Sequence, residues 1–154
     1  MRILFTGAAG FIGHAVILKL LEKDVSVFGI DNLNSYYETR LKINRLKNIE
    51  SEILNKKGWE WQFKKCDLND IDLFDKIFED FKPDVLVNLA AQADVRFSIK
   101  KPKDYIQSNI LGFSNILQRC VDFGVKTLFM HQVVQFMEGM RNSLLMRMIL
   151  LAIL

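Results

Sequence analysis

Three glycines in the run Gly7-Ala8-Ala9-Gly10-Phe11-Ile12-Gly13 stand between a short apolar segment and the start of a helical pattern at Phe11. Glycines at that junction permit a tight turn and let the backbone approach a pyrophosphate. The first N–H groups of the helix, at Phe11, Ile12 and Gly13, then meet the phosphates with free donors and a partial positive charge. The spacing is GxxGxxG rather than GxGxxG, and tight packing of strand on helix is the other use such a trio can have. Asp31 follows about 20 residues on, where a carboxylate can accept hydrogen bonds from the adenosine ribose hydroxyls, with Asn32 beside it. This favours NAD over NADP: Asp31 would repel a 2′-phosphate, and Asn32-Leu33-Asn34-Ser35 brings no arginine. A carboxylate capping a turn is the plain alternative for Asp31.

The remaining chemistry-bearing residues are sparse. His14 sits just past the third glycine and His131 far along the chain, neither with a base or metal partner near it in sequence, so both read as packing or surface residues. Cys66 and Cys120 show no CxxC or ligand spacing and read as free, buried thiols of a reduced, cytoplasmic protein. A net charge of +3, with both signs mixed along the chain, gives no argument for nucleic acid or a membrane surface. The opening apolar run is too short for a signal peptide. The apolar stretch 144–154 carries Arg147 and falls short of the roughly 20 residues a spanning helix needs.

Positioning such a cradle requires strands that end at a common edge. Apolar runs of strand length alternate with longer segments of helical period, the arrangement of an α/β protein with a doubly wound parallel, Rossmann-like sheet. Strands are expected near residues 2–6, 25–30, 61–65, 84–89 and 126–129, and helices near 11–23, 37–54, 71–78 and 103–123, with breaks at Gly58, Lys82-Pro83 and Gly124. Half the 154 residues are hydrophobic, enough for one globular core. Residues 1–128 form the nucleotide-binding unit, incomplete after about the fifth strand. Residues 129–154 are of another character, with Met130, Met137, Met140, Met146 and Met148 crowded together and neither strand alternation nor a capped helix pattern.

With the cradle and Asp31, the chain carries Asp67-Leu68 after the third expected strand, Asn88-Leu89-Ala90-Ala91-Gln92-Ala93 running into Val95-Arg96-Phe97-Ser98, and Ser108-Asn109 before Gly112-Phe113. Together with Gly29-Ile30-Asp31-Asn32-Leu33-Asn34 and Tyr36-Tyr37, these make it resemble the extended short-chain dehydrogenase/reductases of the NAD-dependent epimerase/dehydratase family, most closely the UDP-glucuronate 4-epimerases. The resemblance implies that Asp67 and Leu68 border the adenine, that Ala90, Ala91 and Gln92 line the cofactor beside the active-site floor, and that Asn109 lies near the nicotinamide side. Arg96 matches a signature arginine and stands either close to the sugar or in a solvated loop. Asp94 takes a place where the family commonly has glycine. The implied partners are NAD and a UDP-sugar. In that family a tyrosine–lysine pair spaced Tyr-x-x-x-Lys moves the C4 hydroxyl proton while hydride passes to NAD. Here Tyr36, Tyr37 and Tyr105 are followed four residues on by Arg40, Leu41 and Asn109, so no catalytic residue is assigned and the substrate domain is not in evidence. The expected role is the NAD-binding front portion of a nucleotide-sugar 4-epimerase of the UDP-glucuronate or UDP-galacturonate type, inactive alone. The alternatives are an interaction module that pairs with an intact relative, as a homodimer or heterodimer through the helix at 103–123, the front half of another nucleotide-sugar epimerase or dehydratase, and one piece of a split enzyme.

The tail has a particular reading. Family members continue from the fifth strand as Tyr-Ala-Ser-Ser-Ser-Ser-Val-Tyr-Gly, which the run from Phe129 to Glu138 does not match. Written as degenerate codons and read from the third base of the Phe129 codon, the same stretch permits that string at every position. Its alanine and glycine are forced, because Met130 with His131 dictates GCA and Met137 with Glu138 dictates GGA. One base lost, or two gained, near Leu128–Phe129 would make the tail an out-of-frame translation. The expected consequence is apolar sheet surface left uncovered and poor solubility.

Overall fold

The computed structural model describes residues 1–130, except Asp24, residues 55–57, Trp59 and residues 93–94, and gives the backbone but not the side chains of residues 95–97. The tail with His131, and Ala93 and Asp94, lie outside the described residues.

Strand β1, Arg2–Thr6, explains the arrangement around it. Its Ile3, Leu4 and Phe5 are all buried although successive side chains point to opposite faces, so the strand must be covered on both sides. Ile3 and Phe5 join a core with Ile17 and Leu21 of α1 (Phe11–Leu21) and Ile49 of α2 (Thr39–Leu54). Leu4 faces the other way, into a core with Phe74 and Phe78 of α3 (Ile71–Phe81) and Ile116 of α6 (Gly112–Asp122). The remaining strands are β2 (Ser26–Asp31), β3 (Glu60–Lys65), β4 (Val85–Asn88) and β5 (Thr127–Met130). All four pairings are parallel, in the order β3-β2-β1-β4-β5. This is the doubly wound order, and it reverses between β1 and β4, where the loops leaving the strand ends diverge and open a crevice.

Local chemistry ends the helices where the sheet needs them to end. Asp70 caps α3 by accepting from the Leu73 N–H at 3.3 Å. Lys82 stops it in the left-handed region at φ 49°, and Pro83 prevents continuation. Arg119 of α6 grips Asp75 of α3 through two hydrogen bonds, 2.7 and 3.2 Å, fixing the two helices side by side.

All five expected strands are present within about a residue of the expected bounds. The helix expected at 103–123 is present as one unbroken run from Pro102 to Asp122, in which α5 (Pro102–Ile106) passes through a π-helical turn at Gln107–Leu111 into α6. A further short helix, α4 (Val95–Lys100), precedes them, so Arg96 sits on helical backbone rather than in a loop. Pro102 separates α4 from α5 by holding Lys101 out of helical geometry, at φ −136° and ψ 67°. Because Phe74 is fully buried and packs edge-on against Phe78 at 5.0 Å, Phe74→Ala is expected to cost about 3–5 kcal/mol in urea unfolding. Phe11→Ala, at a ring 78% exposed, is expected to cost under about 1 kcal/mol. Equal losses for the two would contradict this assignment of the core.

Candidate functional site

The glycines of the cradle are there because backbone passes where a side chain would be. Gly7 adopts φ +71°, and a Cβ on it would lie 2.7 Å from the Ala90 nitrogen, in the segment leaving β4. A Cβ on Gly13 would fall 2.4 Å from the Gly7 carbonyl oxygen, so α1 can approach β1 only with glycine at that position. Gly10 is the N-cap of α1 and offers no side-chain bond to the first turn. The helix therefore starts with donors that no side-chain cap occupies, next to the loop that borders the crevice where strand order reverses.

Asp31 ends β2 beside this loop and is buried. One carboxylate oxygen accepts from the Ala9 N–H at 3.3 Å and the other from the Leu33 N–H at 2.8 Å. The Lys42 ammonium, on α2, stands 3.6 Å from Asp31 and donates to the Asn34 side-chain oxygen at 2.9 Å. Both side chains of this ion pair are over nine-tenths enclosed. Sequence inspection misses Lys42 because it seeks a cation directly after Asp31, whereas the turn out of β2 and the first turn of α2 bring it back from eleven positions away. Asn34 escapes in the same way, although an Asn at a turn, bonding its own neighbours, is a recognisable signal.

At the switch point Thr6 joins the two central strands. Its buried hydroxyl bonds the Asn88 side-chain oxygen and accepts from the Ala90 N–H at 3.3 Å. Asn109, carried on the π turn, spends its whole amide on one residue: its oxygen accepts from the Gln92 N–H at 2.8 Å and its nitrogen donates to the Gln92 carbonyl at 3.0 Å. The segment after β4 is thereby held at Ala90 from below and at Gln92 from the side.

These elements enclose a cleft of about 880 Å³. Gly7, Gly10, Asp31, Asn32, Asp67, Leu68, Ala90, Ala91 and Gln92 line it, together with Thr6, Asn34 and Lys42. Phe11, Ile12 and Gly13 lie in the first turn of α1 behind the cradle, and Asn109 stands behind Gln92; none of these four lines the cleft. Arg96 lies on α4, and its side chain is outside the described residues. Burial pushes the Asp67 carboxyl up, but hydrogen bonds from Asn32 and Asn69 outweigh this and leave it below the ordinary carboxylate range. His14 contacts the Asn48 side chain at 2.8 Å. Both cysteines are free thiols, Cys66 buried and Cys120 only half-buried. Among the described residues no group of three His, Cys, Asp or Glu side chains is placed to hold a metal, and no helix is long and apolar enough to cross a membrane.

An open parallel sheet with a glycine cradle and a strand-end carboxylate at its switch point defines a Rossmann-type dinucleotide-binding unit. Comparison with known proteins narrows this. The GDP-mannose 4,6 dehydratase family model matches residues 4–135, and the chain belongs to that family of NAD-dependent epimerases and dehydratases. It is 45% identical over 128 residues to Protein CapI of Staphylococcus aureus, covering 83% of this chain and 36% of that protein. It is 39% identical to a UDP-glucuronate 4-epimerase of Thermodesulfobacterium geofontis, covering 88% of this chain and 40% of the relative. A crystal structure of UDP-glucose 4-epimerase from Thermus thermophilus in complex with NAD superposes with a TM-score of 0.66 at 32% identity, over 83% of this chain and 36% of that one. The chain thus spans about two fifths of the length of the relatives it matches.

Cys66 lines the cleft, yet its thiol is pushed up to about 12, first by burial and then by the Asp70 and Asp67 carboxylates, with Lys64 acting the other way. A thiolate is the reactive form, so the native protein at pH 8 is expected to leave Cys66 unmodified by iodoacetamide and to expose it in urea. The stability tied to this thiol is fully present below its ordinary value of 9.0 and is lost as pH rises toward 12. Modification of Cys66 in the folded protein, read by peptide mass spectrometry, would contradict this burial.

Proposed function

We propose that this chain is the NAD-binding N-terminal portion of a nucleotide-sugar 4-epimerase of the UDP-glucuronate or UDP-galacturonate type, cytoplasmic, and inactive in epimerisation alone. The observation that carries the reading is the cleft itself, where a three-glycine cradle, an uncapped helix start and the buried Asp31 converge on one strand edge. The relatives that match over more than four fifths of the chain, one of them named a UDP-glucuronate 4-epimerase, support the class of sugar.

In this reading the N–H groups of Phe11, Ile12 and Gly13 face the diphosphate, and Asp31 and Asn32 take the adenosine ribose. Asp67 and Leu68 border the adenine, Ala90 to Gln92 form the floor, and Asn109 acts from behind that floor. Arg96 is assigned to the sugar side. NAD, when bound, accepts and returns a hydride at the sugar carbon being inverted. The chain's own residues bind and orient it; the step that needs a tyrosine activated by a nearby lysine has no such pair here. Calorimetric titration is expected to show NAD binding, NADP binding more weakly, and no turnover of UDP-glucuronate. Asp31→Ala is expected to weaken NAD by about tenfold or more and to shift preference toward NADP, because the Lys42 ammonium then faces a 2′-phosphate unopposed. A native protein that ignores NAD, or an alanine variant with unchanged preference, would refute the assignment.

The same proposal includes the tail: residues 129–154 are read as an out-of-frame continuation of the family's Tyr-Ala-Ser-Ser-Ser-Ser-Val-Tyr-Gly segment. A second reading, docking on an intact relative, draws on the exposed stripe of Ile110, Leu117 and Val121 along the π turn and α6. Sequencing the encoding DNA from Val125 past the stop separates them. Restoration of the serine run and a downstream Tyr-x-x-x-Lys by a single base is the expected result. A confirmed frame with nothing related downstream would overturn the frame reading and leave docking as the better account.

A further inference from the structure

Arg45 lies on α2 one turn beyond Lys42, outside the lining of the cleft and outside every motif that marks the cofactor site. Its guanidinium donates to the Ala9 carbonyl at 3.2 Å and rests over the Phe11 ring, 5.8 Å from its centroid. Ala9 is fully buried at the centre of the glycine loop, and its N–H is already taken by Asp31. The loop residue between the first and third glycines is therefore held on one side by the end of β2 and on the other by α2.

We infer that Arg45 is a positioning residue of the diphosphate cradle, holding the Ala9 carbonyl on the α2 side so that the loop presents N–H groups rather than an oxygen to an anion, and adding a positive charge beside the start of α1. The Ala9 carbonyl and the Gly10 N–H belong to one peptide plane, and that N–H is bound to the Gly7 carbonyl at 3.0 Å. With Arg45 at one end of the plane and Gly7 at the other, the peptide cannot turn its oxygen toward the crevice without losing both bonds. A free carbonyl there would face the diphosphate with its negative end, whereas the guanidinium removes it and reinforces the positive end of the helix. Phe11 is 78% exposed, so its ring serves the core little and gives the guanidinium a flat surface that limits its freedom.

The inference rests on the reading of the cleft as a dinucleotide site. Its test compares NAD with adenosine, which lacks the diphosphate, by calorimetric titration of the full chain. Arg45→Met is expected to weaken NAD about tenfold and adenosine less than about twofold. Arg45→Lys, which keeps the charge but not the planar fork, is expected to lie between the native chain and Arg45→Met for NAD, with adenosine again unchanged. Native affinity for NAD in Arg45→Met, or an equal loss for adenosine and NAD, would overturn it. If Arg45→Met does not fold, Arg45→Lys decides: NAD affinity equal to native overturns the role, and a selective loss supports it. A native chain that binds adenosine but not NAD refutes the dinucleotide reading itself, and the inference falls with it.

Discussion

The close approach of the Gly7 carbonyl to Gly13, which leaves no room for a Cβ there, is the constraint on which the rest of the site depends. A methyl group at Gly7 would overlap the Leu89–Ala90 backbone that leaves β4, at 2.7 Å, and one at Gly13 would overlap the Gly7 carbonyl, at 2.4 Å, pushing α1 away from the end of β1. With no side chain in the gap, the first turn of α1 packs directly behind the loop that lines the crevice, and its N–H groups carry no side-chain cap. The buried Ala8 and Ala9 answer the same shortage of space, small residues packed where the loop passes beneath β2. One set of residues thus makes a tight joint and leaves the start of α1 without a side-chain cap behind the loop.

Around that joint, α2 supplies charge. Lys42 and Arg45 are one helical turn apart, and they reach two different atoms of the same assembly, the Asp31 carboxylate and the Ala9 carbonyl. A buried ion pair such as Lys42 with Asp31 contributes little net stability once desolvation is counted, but loss of one member leaves the other stranded. Its value is orientation. Asp31 also accepts from two backbone N–H groups, so its carboxylate is locked in place at the β2 end of the cleft. A preorganised acceptor loses less on binding than one that must be ordered first.

Much of this could be read from residue order, and what could not has physical causes. The strands were legible because doubly covered strands must be apolar throughout, as Ile3, Leu4 and Phe5 show. The cradle was legible because glycine spacing encodes close approach. Lys42 and Arg45 were invisible as site residues because helical geometry, not sequence proximity, returns them to the loop. The π turn at Gln107–Leu111 was hidden for another reason: it reflects tertiary demands on both sides. Asn109 must meet Gln92, Gln107 must offer its carbonyl to Asn69 at 3.3 Å, and a Cβ on Gly112 would lie only 3.1 Å from Leu68. A run of helix-forming residues carries no mark of three such contacts, and one inserted residue in the turn reconciles them.

The cleft is also uneven along its length, and this bears on what it can do. One end is walled by the ends of β2 and β3 and by a connected set of polar groups, Asn32 to Asp67 to Asn69 to Asn115. Toward β4 the cleft is lined by the segment Ala90 to Gln92, held in place by Thr6 and Asn109. Beyond it β5 has a single neighbour, β4, among the described residues, and none of its residues reaches the cleft. In a sheet of this topology the recognition of ribose and diphosphate depends on β1, β2 and the helices that follow them, all of which are present here. The groups on the β2 and β3 side of the cleft are therefore already locked by packing and hydrogen bonds, whereas among the described residues β5 contributes nothing to its lining.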